Sequence, residues 1–224
     1  MPKKKVVQII DTPVDTLYVF ADIETDTLKV SKLLQIAAVV EKDSKTFKFC
    51  AFINPGEPLA QGTTNLLGFY FYKGQLYREG GFLPSTSITR ALNDFKVWLV
   101  NLKKPVALVF HNGFCFDCNI LARLFVRYRI TPPENLIKVC DTLPSFRAIK
   151  EIEFQDFKLV TLARHFKIQE YLEHDALQDS VALQSLCRAF TIQQNVTLND
   201  FLVSKSFLEF IDKARERQKQ FQKK

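Results

Sequence analysis

The sequence predicts an α/β fold, and three observations carry that prediction. Apolar, uncharged runs of strand length recur at Leu17–Ala21, Leu33–Val40 and Val106–Phe110. Stretches with a helical apolar period follow them, from Ser87 to Leu102 and from Asp117 to Tyr128. The chain also has 224 residues, 47% of them apolar and only seven of them glycine, which suits one sizeable core rather than a low-complexity chain.

Taken in order, the elements are these. Leu17–Ala21 leads into Asp22 and Glu24, and a polar link over Thr25–Lys32 joins it to the second run, Leu33–Val40. The charged tetrapeptide Glu41-Lys42-Asp43-Ser44 predicts a hairpin turn. Beyond it Phe47, Phe49, Ala51 and Ile53 recur at every second position, the period of a strand, and Asn54-Pro55-Gly56 ends it. Three strands with brief connections read as an antiparallel meander. Residues 55–84 hold most of the glycines and many aromatics, and read as an irregular region with short helical or hairpin pieces. Ile88, Leu92, Phe95, Leu99 and Leu102 form one helical stripe, which Pro105 ends. After Val106–Phe110, His111-Asn112-Gly113 turns the chain into a second helix. A strand-like piece over 135–143 and a short helix marked by Leu159, Leu162, Ala163 and Phe166 come next. Thr197–Lys224 reads as one amphipathic helix ending in a basic run. The domain plan is thus a basic N-terminal segment 1–15, a body over 16–192 and a C-terminal helix with a basic tail over 193–224.

Composition narrows the functional classes. A net charge of +7 and a pI near 9.1 permit an anionic partner such as nucleic acid. Five cysteines, an odd count scattered through apolar segments, read as reduced and buried thiols of an intracellular protein, nuclear or cytoplasmic. Cys115-x-x-Cys118 has no second pair to complete a zinc site. Lys3–Lys5 precede an apolar run too short for a signal core, and no run has membrane-spanning length. No membrane is expected as a partner.

The chemistry concentrates in acids. Residues i and i+2 of a strand share a face, so Asp22 and Glu24 project side by side. Like charges held that close raise each other's pKa unless a cation lies between them. Asp117 heads the stripe Leu121, Leu124 and Tyr128, and Asp179 heads the stripe Leu183, Leu186 and Phe190. An Asp near a helix N-terminus is favoured by the macrodipole, which explains either one singly. Four acids on core-facing positions are explained together by a shared divalent metal, magnesium or manganese, both of which prefer oxygen ligands. Asp175 suits an N-cap with Gln178 three residues on, which leaves His174 on the entering loop and free to face the carboxylates.

Asp22-Ile23-Glu24-Thr25, His111-Asn112-Gly113-Phe114-Cys115-Phe116-Asp117 and His174-Asp175-Ala176-Leu177-Gln178-Asp179 together resemble the three blocks of the DEDDh 3′→5′ exonucleases. Gln35–Val39 and Asp141-Thr142-Leu143 are similar to that family as well, so the resemblance covers about residues 16–192. The spacer Gly113-Phe114-Cys115 is similar to that of the three-prime repair exonucleases and of the exonuclease-like domain of promyelocytic leukaemia protein. The resemblance implies an RNase H-like fold, a mixed five-stranded sheet flanked by helices. It implies Asp22, Glu24, Asp117 and Asp179 as ligands of two Mg2+ (or Mn2+) ions and His174 as general base. It places Thr25, Leu28, His111 and Asn112 on the substrate side, with Leu28 as an apolar wedge against the last base. Nucleic acid, most readily a single-stranded 3′ end, is the partner implied. The chain departs from the pattern at Thr27, where relatives have a glycine. Two other readings stay open: a catalytically silent exonuclease-like module that binds nucleic acid or protein, and another metal-dependent hydrolase on the same fold.

Overall fold

A computed structural model describes residues 12–26, 32–149, 153–169 and 173–222. Strands β1 (Leu17–Thr25), β2 (Leu33–Lys42) and β3 (Lys45–Ile53) form the expected meander. The β2–β3 turn is a two-residue hairpin loop, with Asp43 and Ser44 both at positive φ and Lys42 paired to Lys45. Next come α1 (Gln61–Leu67), β4 (Phe69–Tyr72), β5 (Gln75–Arg78), β6 (Gly81–Leu83), β7 (Ser85–Thr86), α2 (Ile88–Asn101) and β8 (Val106–Phe110). Then follow α3 (Asp117–Arg127), β9 (Leu136–Asp141), α4 (Thr142–Ala148), α5 (Leu159–His165), α6 (Ala176–Gln194), α7 (Leu198–Phe201), β10 (Val203–Lys205) and α8 (Phe207–Gln222).

The main sheet runs β10-β9-β8-β1-β2-β3-β7. β8 and β9 are parallel to β1, whereas β2 is antiparallel to it. Five strands were expected; the sheet has seven among the described residues, because the short β7 and β10 pair with its two edges. Edge pairing of this kind satisfies backbone groups that would otherwise be left open. Both faces of β1 and β2 are covered, which explains why these strands read as unbroken apolar runs. Val19, Ala21 and Ile23 face a core shared with α2, α3 and α8, while Phe20 faces Leu183 and Cys187 of α6. None of the described helices is long and apolar enough to cross a membrane.

Three expectations need correction. Residues 55–84 do hold a short helix, α1, and hairpins, but 69–83 are more regular than expected: β4, β5 and β6 form a separate antiparallel sheet, fixed by Phe69 and Leu76 packing on Leu34 and Leu67. The C-terminal stretch is broken, since Val203–Lys205 pairs with Val139–Asp141 before α8 begins. There the free edge of β9 offers ladder hydrogen bonds that outweigh the helical pattern. In α8 itself Phe207, Phe210, Ile211 and Ala214 lie in the main core, with Phe207 edge-on to Phe125 of α3. Finally, Cys118, Cys140 and Cys187 are buried as expected, but Cys50 and Cys115 are exposed. Cys50 stands on β3, its Sγ 3.5 Å from Nε2 of Gln35.

Candidate active site

β1 overhangs its parallel neighbour. Its pairing with β8 ends at Phe20–Val109, while its pairing with β2 continues through Asp22–Ala37 and Glu24–Gln35. The two acids therefore stand beyond the C-terminal end of β8, the end of parallel strands where α/β proteins place their ligand crevices.

α6 brings the third acid. Asp175 is its N-cap, with Oδ1 accepting the backbone N–H groups of Leu177 and Gln178 at 3.1 Å each. That fixes the first turn and with it Asp179. Carboxylate oxygens of Asp22, Glu24 and Asp179 lie within 4.8 Å of one another. Asp117, the first residue of α3, lies outside this mutual triad but adds its charge to the field on Asp22. It is 2% exposed, and its Oδ1 has no hydrogen-bond partner among the described residues.

The turn that presents Asp117 is tightly built. Asp141, at the end of β9, accepts the N–H of Asn112 at 2.8 Å, of Phe114 at 2.9 Å and of Leu143 at 2.9 Å. Asn112 is left-handed, at φ 64°. A Cβ on Gly113 would lie 2.4 Å from Cβ of Phe110, so only glycine fits there.

Burial and the neighbouring charges raise the pKa of Asp22, Glu24 and Asp117 above the ordinary carboxylate range. Loss of water raises Asp22 well above it, and the charges of Asp117, Asp179, Glu24 and Asp175 push it further. Burial is again the first cause for Glu24, raised to about 8, with Asp179 adding to the shift and Arg78 partly offsetting it. Asp117 is raised to about 7, chiefly by burial, against the hydrogen bonds of its own N–H and that of Ile23. An oxygen-only donor set and an orphaned buried carboxylate oxygen fit a hard divalent metal.

A cleft of about 640 Å3 is lined by all four acids together with His111, Asn112 and His174. His174 is on the loop before α6, as expected, with a left-handed backbone at φ 63°. It also lines a smaller neighbouring cavity of about 330 Å3, shared with Glu24, Thr25 and Leu66. His111 is tied into the protein. Its Nε2 donates to the Phe157 carbonyl at 2.7 Å and its Nδ1 is 2.7 Å from the Thr142 hydroxyl, while burial lowers its pKa. Both nitrogens are thus engaged by the protein, and His111 shapes the cleft wall. Thr27 and Leu28 lie outside the described residues.

Sequence reasoning missed the cations of the cleft, Arg147 and Lys158, which stand on pieces too short to show a pattern. It also missed the role of Gln35, although a lone amide inside the apolar run Leu33–Val40 is a signal. Gln35 is fully buried, its Oε1 accepting the N–H of Ala176 at 3.2 Å.

Mixed sheet and flanking helices define an RNase H-like domain, with an acid cluster at the strand ends. The comparisons with known proteins agree. PolC-type DNA polymerase III of Listeria monocytogenes is 31% identical over 171 residues, covering 75% of this chain, and that of Streptococcus pyogenes serotype M1 is 32% identical over 184 residues, covering 79%. The chain spans only 11% of the length of these polymerases. No family model matches the chain. Among solved structures, exonuclease I of E. coli in complex with single-stranded DNA superposes with a TM-score of 0.64 at 16% identity, over 81% of this chain and 41% of that one. Exonuclease I of Methylocaldum szegediense gives 0.65 at 15% identity, over 80% and 41%. In sequence the chain is similar to these polymerases and in fold to these exonucleases, which supports its resemblance to the DEDDh exonucleases.

Proposed function

We propose that this protein is a 3′→5′ exonuclease that removes nucleoside monophosphates from the 3′ end of DNA or RNA. The observation that carries the reading is the gathering of Asp22, Glu24 and Asp179 with Asp117 and His174 around one cleft. Asp22, Glu24, Asp117 and Asp179 would hold two Mg2+ or Mn2+ ions, which when bound supply Lewis acidity at the scissile phosphate. The protein's own groups do the rest. His174 takes the proton of the attacking water, a task for which imidazole is suited near neutral pH. Arg147 and Lys158, in the same cleft, neutralise phosphates of the incoming strand. Phe116, Leu143 and Phe157 give that cleft apolar walls against which an unpaired terminal base packs. Thr25 and Asn112, at the cleft and its neighbouring cavity, stand on the substrate side. A single-stranded 3′ end is the substrate that this open, half-apolar cleft best accommodates.

The test is the product ladder from 5′-labelled DNA and RNA oligonucleotides, with and without magnesium or manganese. Stepwise shortening from the 3′ end, present only with the ion, is the expected result. No cleavage, or cuts at internal positions first, overturns it.

A further inference from the structure

We infer that Arg78, on the small β4-β5-β6 sheet, is a positioning residue that holds the His174 loop in its working geometry by gripping Asp175. This rests on the reading of His174 as the general base. Arg78 and Asp175 are 97 residues apart, yet Nη1 of Arg78 lies 2.6 Å from Oδ2 of Asp175. Its Nη2 donates to the carbonyl of His174 itself at 3.2 Å. One planar guanidinium thus engages two consecutive residues, which a flexible ammonium cannot reproduce.

The grip is well shielded and well supported. The side chains of Arg78 and Asp175 are 10% and 15% exposed, so water competes little for the pair. The guanidinium carbon lies 5.0 Å from the ring centre of Phe69, whose burial anchors the small sheet. Gln35 approaches from the main sheet, with Nε2 3.4 Å from the same Asp175 oxygen. Both sheets therefore hold one turn, and that turn carries His174 before the cap and Asp179 after it.

His174 needs such support, because an L-residue with a side chain is strained at φ 63°. The Asp175 cap survives without Arg78, since Oδ1 accepts the α6 amides and Oδ2 takes the guanidinium. Loss of Arg78 should therefore release His174 while leaving α6 and Asp179 in place. Positioning errors of about an ångström are worth on the order of 10²-fold in rate.

The variants are Arg78→Met, which keeps the apolar stem, Arg78→Lys and Arg78→Ala, assayed on a labelled oligonucleotide with magnesium. The expected result, at saturating magnesium because the Arg78 charge also acts on Glu24, is a kcat about 10–100-fold lower for Arg78→Met with KM within about twofold of native. Arg78→Lys should remain close to Arg78→Met, because charge alone does not make the fork. Methylguanidinium should restore part of the rate to Arg78→Ala and none to His174→Asn. Native kcat in Arg78→Met, or full recovery in Arg78→Lys, overturns the inference. So does a loss confined to KM. If the native protein cleaves nothing, the proposed function falls by itself, and Arg78 is then judged by the His174 imidazole signals in 1H–13C NMR, assigned with His174→Asn. One sharp set in the native protein that broadens or splits in Arg78→Met supports the grip, and an unchanged set overturns it.

Discussion

Oδ1 of Asp141 accepts the backbone N–H of Asn112 at 2.8 Å across 29 residues of chain. With the N–H of Phe114 on its other oxygen, this carboxylate moulds the turn that delivers Asp117, yet it is no member of the triad formed by Asp22, Glu24 and Asp179. Replacing it by asparagine sets an NH2 group against one of these donors. Asp141→Asn should therefore cost about 1–3 kcal/mol in urea unfolding. It should also weaken divalent-ion binding in calorimetry, because the Asp117 turn loses its mould. Native values in both measurements contradict this account of the turn.

Proton linkage gives a second expectation. Glu24, raised to about 8, and Asp117, raised to about 7, bind protons in the folded protein that they release near pH 4 when unfolded. Between those limits the native state holds more protons, so stability of the ion-free protein must fall as pH rises from about 4 to about 8. Divalent-ion binding must release protons over the same interval and cease to do so above it. Titration at pH 6 in two buffers of different ionisation enthalpy measures this directly. Buffer-independent heats would mean that the carboxyls are already ionised.

Repulsion also separates stability from function at Asp22. Its carboxyl is opposed by Asp117, Asp179 and Glu24. Asp22→Asn removes the cost of burying this carboxyl beside other acids, whether it is met as repulsion or as a bound proton, at nearly constant shape. Without divalent ion at pH 8 the variant should melt about 2–4 °C above native, equivalent to roughly 1 kcal/mol at this chain length. Magnesium should raise the native Tm and leave the variant's unmoved. A variant that melts lower than native without ion would show that Asp22 is held by attractive contacts instead.

His174 is expected to behave unlike the acids. It belongs to no cluster of ligand atoms within mutual reach among the described residues, although it lines the same cleft. His174→Asn should keep ion and oligonucleotide affinity while cleavage slows by about 10²–10⁴-fold, the usual worth of a general base. Native-rate cleavage would place the base elsewhere.

The acids were legible because each broke a local pattern. Asp22 and Glu24 close an apolar run, and Asp117 and Asp179 occupy the buried stripes of otherwise regular helices. The small sheet was not legible, since Phe69-Tyr70-Phe71-Tyr72 puts an aromatic on both faces and erases the contrast that marks a strand. There the outward Tyr70 and Tyr77 stack at 5.1 Å while Phe69 is buried. β10 escaped because three residues inside an amphipathic stretch carry no period of their own, and only the waiting edge of β9 selects them. Arg78 escaped for a different reason. Its partner lies on the far side of the chain, and no local spacing announces a contact at that separation.

α8 follows all four acids in the chain, and that order bears on how the site is assembled. Phe207, Phe210, Ile211 and Ala214 close the core against α3, and Phe210 reaches Phe114 in the turn before Asp117, with ring centres 5.9 Å apart. A ribosome releases these residues after every acid of the site has already emerged. Until then the nascent chain exposes the apolar flank of α3, a surface suited to chaperone capture and misassociation. Chains halted before Phe207 would hold all four carboxylates and the histidine, yet lack the clamp that seats the Asp117 turn. The Asp117 turn is thus expected to seat only once α8 has emerged and docked, and a nick within 203–214 should disturb the site from a distance.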